Sequence, residues 1–135
     1  MREIKFRAWH KINKKILTIE VLPLVNGNSP VSPVWHSESI KNSKHSSLKY
    51  LELMQSTGLK DKNGKGQEVY EDDIVEFFSE DDGKIIGIVK FLEAGFCIVD
   101  KNGEYEENLW SAVYNCSLKI IGNIWENPEL LKEIK

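Results

Sequence analysis

The chain has 135 residues, of which 41% are hydrophobic and 29% are charged. This is the composition of one globular domain, 1–135, and it excludes a disordered tail. No apolar run approaches the ~20 residues of a membrane-spanning helix, and the opening MREIKFRAW lacks the apolar core of a signal peptide. Cys97 and Cys116 have no metal-binding spacing, and Cys97 lies in a predicted strand as a small buried thiol. We therefore expect a cytoplasmic protein without a membrane partner.

The net charge of −3 hides an uneven distribution along the chain. Residues 1–66 carry 12 lysines and arginines against 5 acidic residues, a net charge of +7. Residues 67–135 carry 6 against 16, a net charge of −10. Such a split can attract a polyanion to the first part, or bring opposite faces of two copies together. It also cancels within one molecule if the two parts interleave.

The N-terminal residues 1–25 are predicted to form a β-hairpin. Phe6 and Ala8 alternate with charged residues, as in a half-buried strand, and the polar HKINKK follows as a turn. The run ILTIEVLPLV is then expected to be the second strand. Residues 26–47 are rich in Asn, Ser, Pro and Gly, which predicts a long mobile loop with at most one short strand, near Val34–Trp35.

Residues 48–125 are predicted to form the strands of a small barrel. The first segment, LKYLELMQ, fits either a helix or a strand, and its shortness and the following Thr-Gly favour the strand. From residue 74 onward, short runs rich in β-branched and aromatic residues are separated by glycine-containing turns. Gly87 and Gly122 fall inside these runs, where glycine indicates bulges or the sharp bends that close a small barrel. The four runs are IVEFF, KIIGIVKF, FCIVD and LKIIGNIW.

Residues 126–135 are predicted to form a short terminal helix. In ENPELLKEI, Asn127 suits the N-cap position and Pro128 suits the first helical position. Glu129 would meet the positive end of the helix dipole. The apolar side chains of this helix are expected to dock on the sheet.

The segment STGLKDKNGKGQEVYEDDIVEFF, residues 56–78, concentrates acidic residues and glycines ahead of a predicted strand. The stretch from Asp61 to Asp72 can be aligned with a calcium-binding loop, but Lys65 stands where a ligand oxygen belongs and no strong helices flank the segment. Paired carboxylates for acid–base catalysis would need a pocket and partners that the sequence does not indicate. We therefore interpret the segment as a structural turn. We predict no catalytic, cofactor-binding or metal-binding residue, no cofactor, and no enzyme activity.

Four motifs, in their order along the chain and with the spacing of GIVKF and GFCIVD, resemble the YopX family of phage and prophage proteins. The resemblance covers essentially the whole chain except residues 26–47. It departs at His10, where the family usually has an acid, at the small insertion Gly66-Gln67, and at Asp72, where the family usually has glycine. Asp tolerates a left-handed backbone better than most residues, so the turn can survive there with some strain. The motifs are REIKFRAW, LMQSTGLKDKNG, VYEDDIVEF and IIGNIWENPELL.

The resemblance implies a mainly β fold, a small SH3-like barrel with an N-terminal β-hairpin extension and a short C-terminal helix. It implies a bacterial host cell as the location, and no known reaction, cofactor or catalytic residue. It also favours the structural interpretation of residues 56–78, as a turn that begins a barrel strand. The residues expected to shape that turn are Gly58, Gly64, Tyr70, Asp73 and Ile74.

Hypotheses from different functional classes remain open. The first is a non-catalytic phage or prophage accessory protein that acts through protein–protein contact or self-assembly, most simply as a homo-oligomer. The lack of catalytic motifs, the sheet edges and the charge split motivate it. The alternative is a nucleic-acid-binding module on the basic hairpin, which the acidic total opposes. A metal or hydrolase site at the acidic cluster ranks last. The candidate nucleic-acid contacts are Arg2, Lys5, Arg7, Trp9, Lys11, Lys14 and Lys15.

Overall fold

Within its described residues, the computed structural model is mainly β, as the sequence predicts, with ten strands, one α-helix and one 3₁₀ helix. The predicted loop at 26–47 lies outside the described residues, apart from Val34 and Trp35, which form a short strand. The segment that fitted either a helix or a strand is a strand from Leu51 onward. The described residues are 5–20, 34–35, 51–93 and 95–134.

Residues 1–55 form the first of two compact units. Its antiparallel strands lie in the order β3-β2-β1-β4, with Ala8 opposite Leu17 on one side and Leu53 on the other. Ala8, Leu17 and Leu51 form its core, with Phe6 packed against them. The strands are β1 (Phe6–His10), β2 (Lys15–Glu20), β3 (Val34–Trp35) and the first part of β4 (Leu51–Lys60).

Residues 56–135 form the second unit, which carries most of the described structure. The last part of β4 pairs with β5, and five further strands form an antiparallel sheet in the order β10-β6-β7-β8-β9. The fold contains a curled half-barrel sheet, and the finer SH3-like expectation stays a prediction. The strands are β5 (Glu68–Tyr70), β6 (Asp73–Ser79), β7 (Gly83–Leu92), β8 (Gly95–Val99), β9 (Tyr105–Asn108) and β10 (Lys119–Asn123).

One α-helix, α1 (Leu109–Asn115), follows β9 directly and was not predicted from the sequence. The side chain of Asn108 caps it by accepting a hydrogen bond from the Ser111 N–H at 2.7 Å. The buried face of α1 completes the core of the second unit, where burial of Leu109 and of Val113 contributes about 1.5–3 kcal/mol each. The core residues are Val69, Val75, Phe77, Val89, Ile98, Leu109, Ala112, Val113 and Leu118.

The predicted terminal helix is a 3₁₀ helix, Pro128–Glu133. The Asn127 side chain does not cap it, contrary to the sequence-based expectation, because its Oδ1 accepts a hydrogen bond from the Asn123 N–H at 3.2 Å. Asn127 therefore ties the end of β10 to the terminal helix. Beyond that helix, Ile134 is almost fully buried.

Gly87 and Gly122 lie where the chain leaves no room for a side chain. A Cβ atom at Gly87 would lie 2.4 Å from Ile98 Cγ2 and 2.8 Å from the carbonyl oxygen of Val99. A Cβ at Gly122 would lie 2.5 Å from Asn127 Oδ1, and the pairing of β10 with β6 shifts register just before this residue. Both glycines thus allow the backbone of one element to approach another closely.

We expect Gly87→Val and Gly122→Val each to lower the free energy of unfolding by at least about 1 kcal/mol, because the new side chain displaces packed atoms. Gly95→Val is the matched control, since a Cβ there meets nothing within 4 Å. Urea unfolding of the three variants measures the effect. A midpoint for Gly122→Val equal to that of Gly95→Val would show that Gly122 is an ordinary strand residue.

Candidate functional site

Asp72 joins three parts of the second unit. Its backbone is left-handed, with φ at +68°, which explains why a glycine suits this position. One carboxylate oxygen accepts a hydrogen bond from Lys90 Nζ, and the other accepts one from Trp125 Nε1 at 3.1 Å. Its N–H donates to the Val89 carbonyl at 2.9 Å, and its carbonyl accepts from the Ile124 N–H at 3.0 Å. The Asp72 side chain therefore holds the turn, β7 and the C-terminal segment together.

Asp73 closes the same turn from inside. Its Oδ2 accepts a hydrogen bond from the Tyr70 N–H at 2.8 Å, and the following Ile74 is fully buried. Tyr70 is half-buried, and its hydroxyl donates to Glu68 Oε2 at 3.3 Å. Asp73 is buried as well, and its carboxylate accepts a hydrogen bond from the backbone of the turn.

Asp61 is buried to 1% exposure and fixes the neighbouring loop. Its Oδ1 accepts a hydrogen bond from the Gln67 N–H at 2.7 Å, and its Oδ2 accepts one from the Ile120 N–H at 3.1 Å. A Cβ at Gly64 would lie 2.1 Å from Asp61 Oδ2, so only glycine fits there. Gly58 has φ at +79° within β4, where the pairing with β5 is irregular. The carboxylate that would begin a calcium loop is thus occupied by backbone donors.

The described residues contain no group of three or more acidic, His or Cys side chains placed to hold a metal ion. Glu80, Asp81 and Asp82 are exposed in the β6–β7 turn. Burial raises the pKa of the Cys97 thiol, which keeps it protonated and a poor nucleophile. No helix within the described ranges is long and apolar enough to cross a membrane.

The basic hairpin does not gather its cations on one face. Trp9 lies opposite Ile16 and Glu52, whereas Lys15 lies opposite His10 on the other face of the sheet. Lys11 forms a salt bridge to Glu52 at 2.8 Å. Among the remaining candidates, Arg2 lies outside the described residues, Lys5 precedes β1, Arg7 shares the face of Trp9, and Lys14 lies in the turn.

His10 has a structural role in this hairpin. It is fully buried, and its Nδ1 accepts a hydrogen bond from the Asn13 N–H at 3.0 Å. Its carbonyl oxygen accepts one from the Lys14 N–H at 2.8 Å. Lys14 adopts φ at +53°, so these two bonds close the turn between β1 and β2.

Four apolar residues of β7, β8 and β9, here called the apolar end, are grouped around Phe96: Phe91, Leu92, Phe96 and Tyr105. Phe91 and Phe96 are directly opposite each other and share one face of the sheet, whereas Leu92 and Tyr105 belong to the other face. Phe91 is 51% exposed and Tyr105 is 60% exposed. The rings of Phe91 and Phe96 meet edge to face, with centroids 4.9 Å apart. Leu92, Phe96 and Tyr105 also line a cavity of about 410 Å³. The sequence indicated these strands but not which of their apolar side chains would stay exposed.

A second exposed group, here called the aromatic shelf, consists of Trp110, Tyr114 and Lys62. The two rings project from α1 with centroids 5.0 Å apart, and Lys62 Nζ lies 3.8 Å from the centroid of the Tyr114 ring. The shelf was not predicted from the sequence because α1 was not. The available signal was Asn108 as an N-cap followed by apolar residues at helical spacing.

The model of the family described as YopX protein matches residues 5–132. The chain belongs to the YopX family. This confirms the resemblance seen in its motifs, and the family match covers the acidic turn, the hairpin, the apolar end and the aromatic shelf.

Solved structures similar to this YopX-family chain include those of two bacterial proteins. The protein EF1440 from Enterococcus faecalis is 25% identical, with a TM-score of 0.64, and the match covers 97% of this chain and 99% of that one. The protein yopX from Bacillus subtilis is 21% identical, with a TM-score of 0.51, and the match covers 94% and 97%. The second likeness shows the fold alone. No curated protein matches the chain.

We expect Asp61→Ala to destabilise this YopX-family protein by about 2–4 kcal/mol, because two backbone N–H groups lose a charged acceptor. Asp81→Ala is the control, since Asp81 is exposed in a turn. Thermal or urea unfolding of both variants measures the difference. Equal stability of the two variants would contradict the structural role of Asp61.

We also expect calorimetric titration with Ca²⁺ or Mg²⁺ to give no saturable binding, because Asp61, Asp72 and Asp73 are engaged by donors within the chain. Asp73→Asn and Glu71→Gln should leave this result unchanged. Site-specific binding at micromolar metal would overturn the structural interpretation of the acidic turn.

Proposed function

We propose that this YopX-family protein is a non-catalytic phage or prophage accessory protein that acts by protein–protein contact in the cytoplasm of a bacterial host. Its partner is most simply a second copy of the same chain. The observation that carries the proposal is the apolar end, where the exposed Phe91 packs on Phe96, and the exposed Leu92 and Tyr105 line a cavity with Phe96.

The apolar end has the composition of a protein interface. Aromatic residues are enriched where proteins meet, and they dominate the binding energy when a partner excludes water from them. The cavity beside Phe96 and Tyr105 offers a recess for an apolar side chain of the partner. Exposed apolar groups that adjoin one another, unlike scattered ones, indicate an interaction surface.

The charge distribution supports contact between unlike surfaces. Residues 1–55 carry 9 basic and 4 acidic residues, a net charge of +5, and residues 56–135 carry 9 and 17, a net charge of −8. Surfaces of opposite sign on two copies attract, and salt screens exposed contacts over about 10 Å at 0.1 M. Apolar contacts are not weakened in this way.

Nucleic-acid binding by the basic hairpin is the alternative function. The hairpin supplies exposed lysines, but Glu52 lies beside Trp9 and pairs with Lys11. A carboxylate at this position repels phosphates, so the hairpin is a weaker candidate than the apolar end.

We expect light scattering at about 50 mM salt to give a mass above the 15.5 kDa of one chain. The mass should fall towards one chain at about 500 mM salt, because we propose that charged contacts add to those of the apolar end, and salt screens them as the Debye length approaches the 3 Å reached at 1 M. A larger mass that is indifferent to salt would assign the assembly to the contacts of the apolar end alone. A mass near 15.5 kDa at both salt concentrations would refute self-assembly.

The double variant Phe91→Ser and Tyr105→Ser tests the surface itself and should yield a single chain at low salt. Phe78→Ser is the control, because Phe78 is an exposed phenylalanine of β6 outside the apolar end. If Phe78→Ser dissociates the assembly and the double variant does not, the apolar end is not the interface.

A further inference from the structure

The outer face of α1 carries two large aromatic side chains that the core does not use. Trp110 is 58% exposed and Tyr114 is 45% exposed. Their spacing of four residues places them on the same face of the helix, and their ring planes are inclined by 38°. Leu109, Ala112 and Val113 already supply the buried face of this helix. The outer rings are therefore available for a ligand.

The loop at 61–66 holds a cation against these rings. Asp61 is fixed by its two backbone hydrogen bonds, and Asn63 Nδ2 donates to the Ser117 carbonyl at 3.3 Å, just beyond the end of α1. Lys62 lies between these two anchored residues, and its Nζ lies over the Tyr114 ring. The hydrogen bonds of Asp61 and Asn63 thus fix the backbone on both sides of Lys62, and with it the position of the lysine beside the rings.

The loop beside the aromatic shelf is basic although its unit is acidic overall. Within the loop the exposed charges are Lys62 and Lys65, because Asp61 is buried. Helix α1, with the sequence LWSAVYN, has no acidic or basic residue, and the nearest carboxylates along the chain are those of Glu106 and Glu107 before its N-cap. A negatively charged ligand therefore meets lysines on the loop side of the shelf.

We propose that the aromatic shelf is a binding site for single-stranded nucleic acid. An unpaired base stacks on Trp110, and Lys62 and Lys65 contact the phosphates on either side of it. Single-strand sites combine lysines with aromatic rings in this manner, and stacking accepts any base because every base has a π-face.

The composition of the shelf favours this ligand over a protein partner. The cores of protein interfaces are depleted in lysine, whereas Lys62 lies directly on the shelf. Among the described residues of the second unit, the exposed aliphatic side chain Leu92 belongs to β7 and not to α1. The contact between Lys62 and Tyr114 is an exposed cation–π contact, which is weak enough for the ammonium group to move onto a phosphate.

The test uses the full chain and a fluorescently labelled oligothymidylate of about ten nucleotides, within the site sizes of known single-strand binders. Anisotropy titrations at several salt concentrations give the affinity and its salt dependence. The test variants are Trp110→Ala, Trp110→Phe and Lys62→Gln. The controls are Tyr105→Ala, an exposed aromatic residue of the apolar end, and Lys101→Gln, an exposed turn lysine.

We expect Trp110→Ala to weaken binding about tenfold or more, and Trp110→Phe to retain most of it because a stacking ring remains. Lys62→Gln should weaken binding and reduce the slope of log affinity against log salt by about one. The two controls should bind like the unmodified chain, and a duplex of the same length should bind more weakly because its bases are not free to stack.

Three results would overturn the proposal. The first is no binding at about 100 μM protein, since the affinity would then be weaker than that of ordinary non-specific binding. The second is equal oligonucleotide affinity of Trp110→Ala and Tyr105→Ala. The third is a changed assembly mass of Trp110→Ala with its oligonucleotide affinity unchanged. The last result would make the shelf a protein contact. The proposed self-assembly is tested by different variants, at the apolar end. A negative result for nucleic-acid binding therefore does not contradict self-assembly, and a negative result for self-assembly does not contradict nucleic-acid binding.

Discussion

The buried carboxylate of Asp61 is the constraint on which the arrangement of the second unit's loops depends. It accepts one hydrogen bond from Gln67 within its own loop and another from Ile120, 59 residues further along the chain. A buried charge is stable only when donors surround it, and here the donors are backbone groups with few alternative partners. These bonds hold the loop that contains Gly64, leads into β5 and places Lys62 beside Tyr114 of α1. Asp61 thus fixes both the loop beside β10 and the position of the aromatic shelf's lysine.

This use of Asp61 is shared by the other acids of the turn. Both carboxylate oxygens of Asp72 accept hydrogen bonds, from Lys90 and Trp125, and Asp73 Oδ2 accepts one from the Tyr70 N–H. A catalytic or metal-binding carboxylate needs an oxygen that faces a substrate or an ion. The acidic residues that suggested a catalytic or metal-binding site in the sequence therefore make hydrogen bonds that stabilise the fold.

Most strands could be predicted from the sequence because alternation and glycine-containing turns are local signals. The pairing of β10 with β6 shifts register beside Gly122, as a glycine inside an apolar run predicts, whereas β7 pairs with β6 without a register shift at Gly87. Helix α1 was missed because it has only seven residues and follows β9 without a glycine or proline between them. The predicted N-cap role of Asn127 was wrong, because its side chain accepts a hydrogen bond from the Asn123 N–H instead. The apolar end was not foreseeable, since it joins residues of three strands, whereas the Trp110–Tyr114 pair of the aromatic shelf was missed together with α1.

The sheet edges bear on how two copies would meet. At β10, the N–H groups of Ile120 and Asn123 donate to the side chains of Asp61 and Asn127, so neither is free to pair with another strand. At the opposite edge, β9 has four residues, and two of them are Glu106 and Glu107. Short and charged edge strands resist addition of a further strand. Strand pairing is therefore disfavoured at both edges of this sheet, which favours contact through side chains over the addition of a strand here.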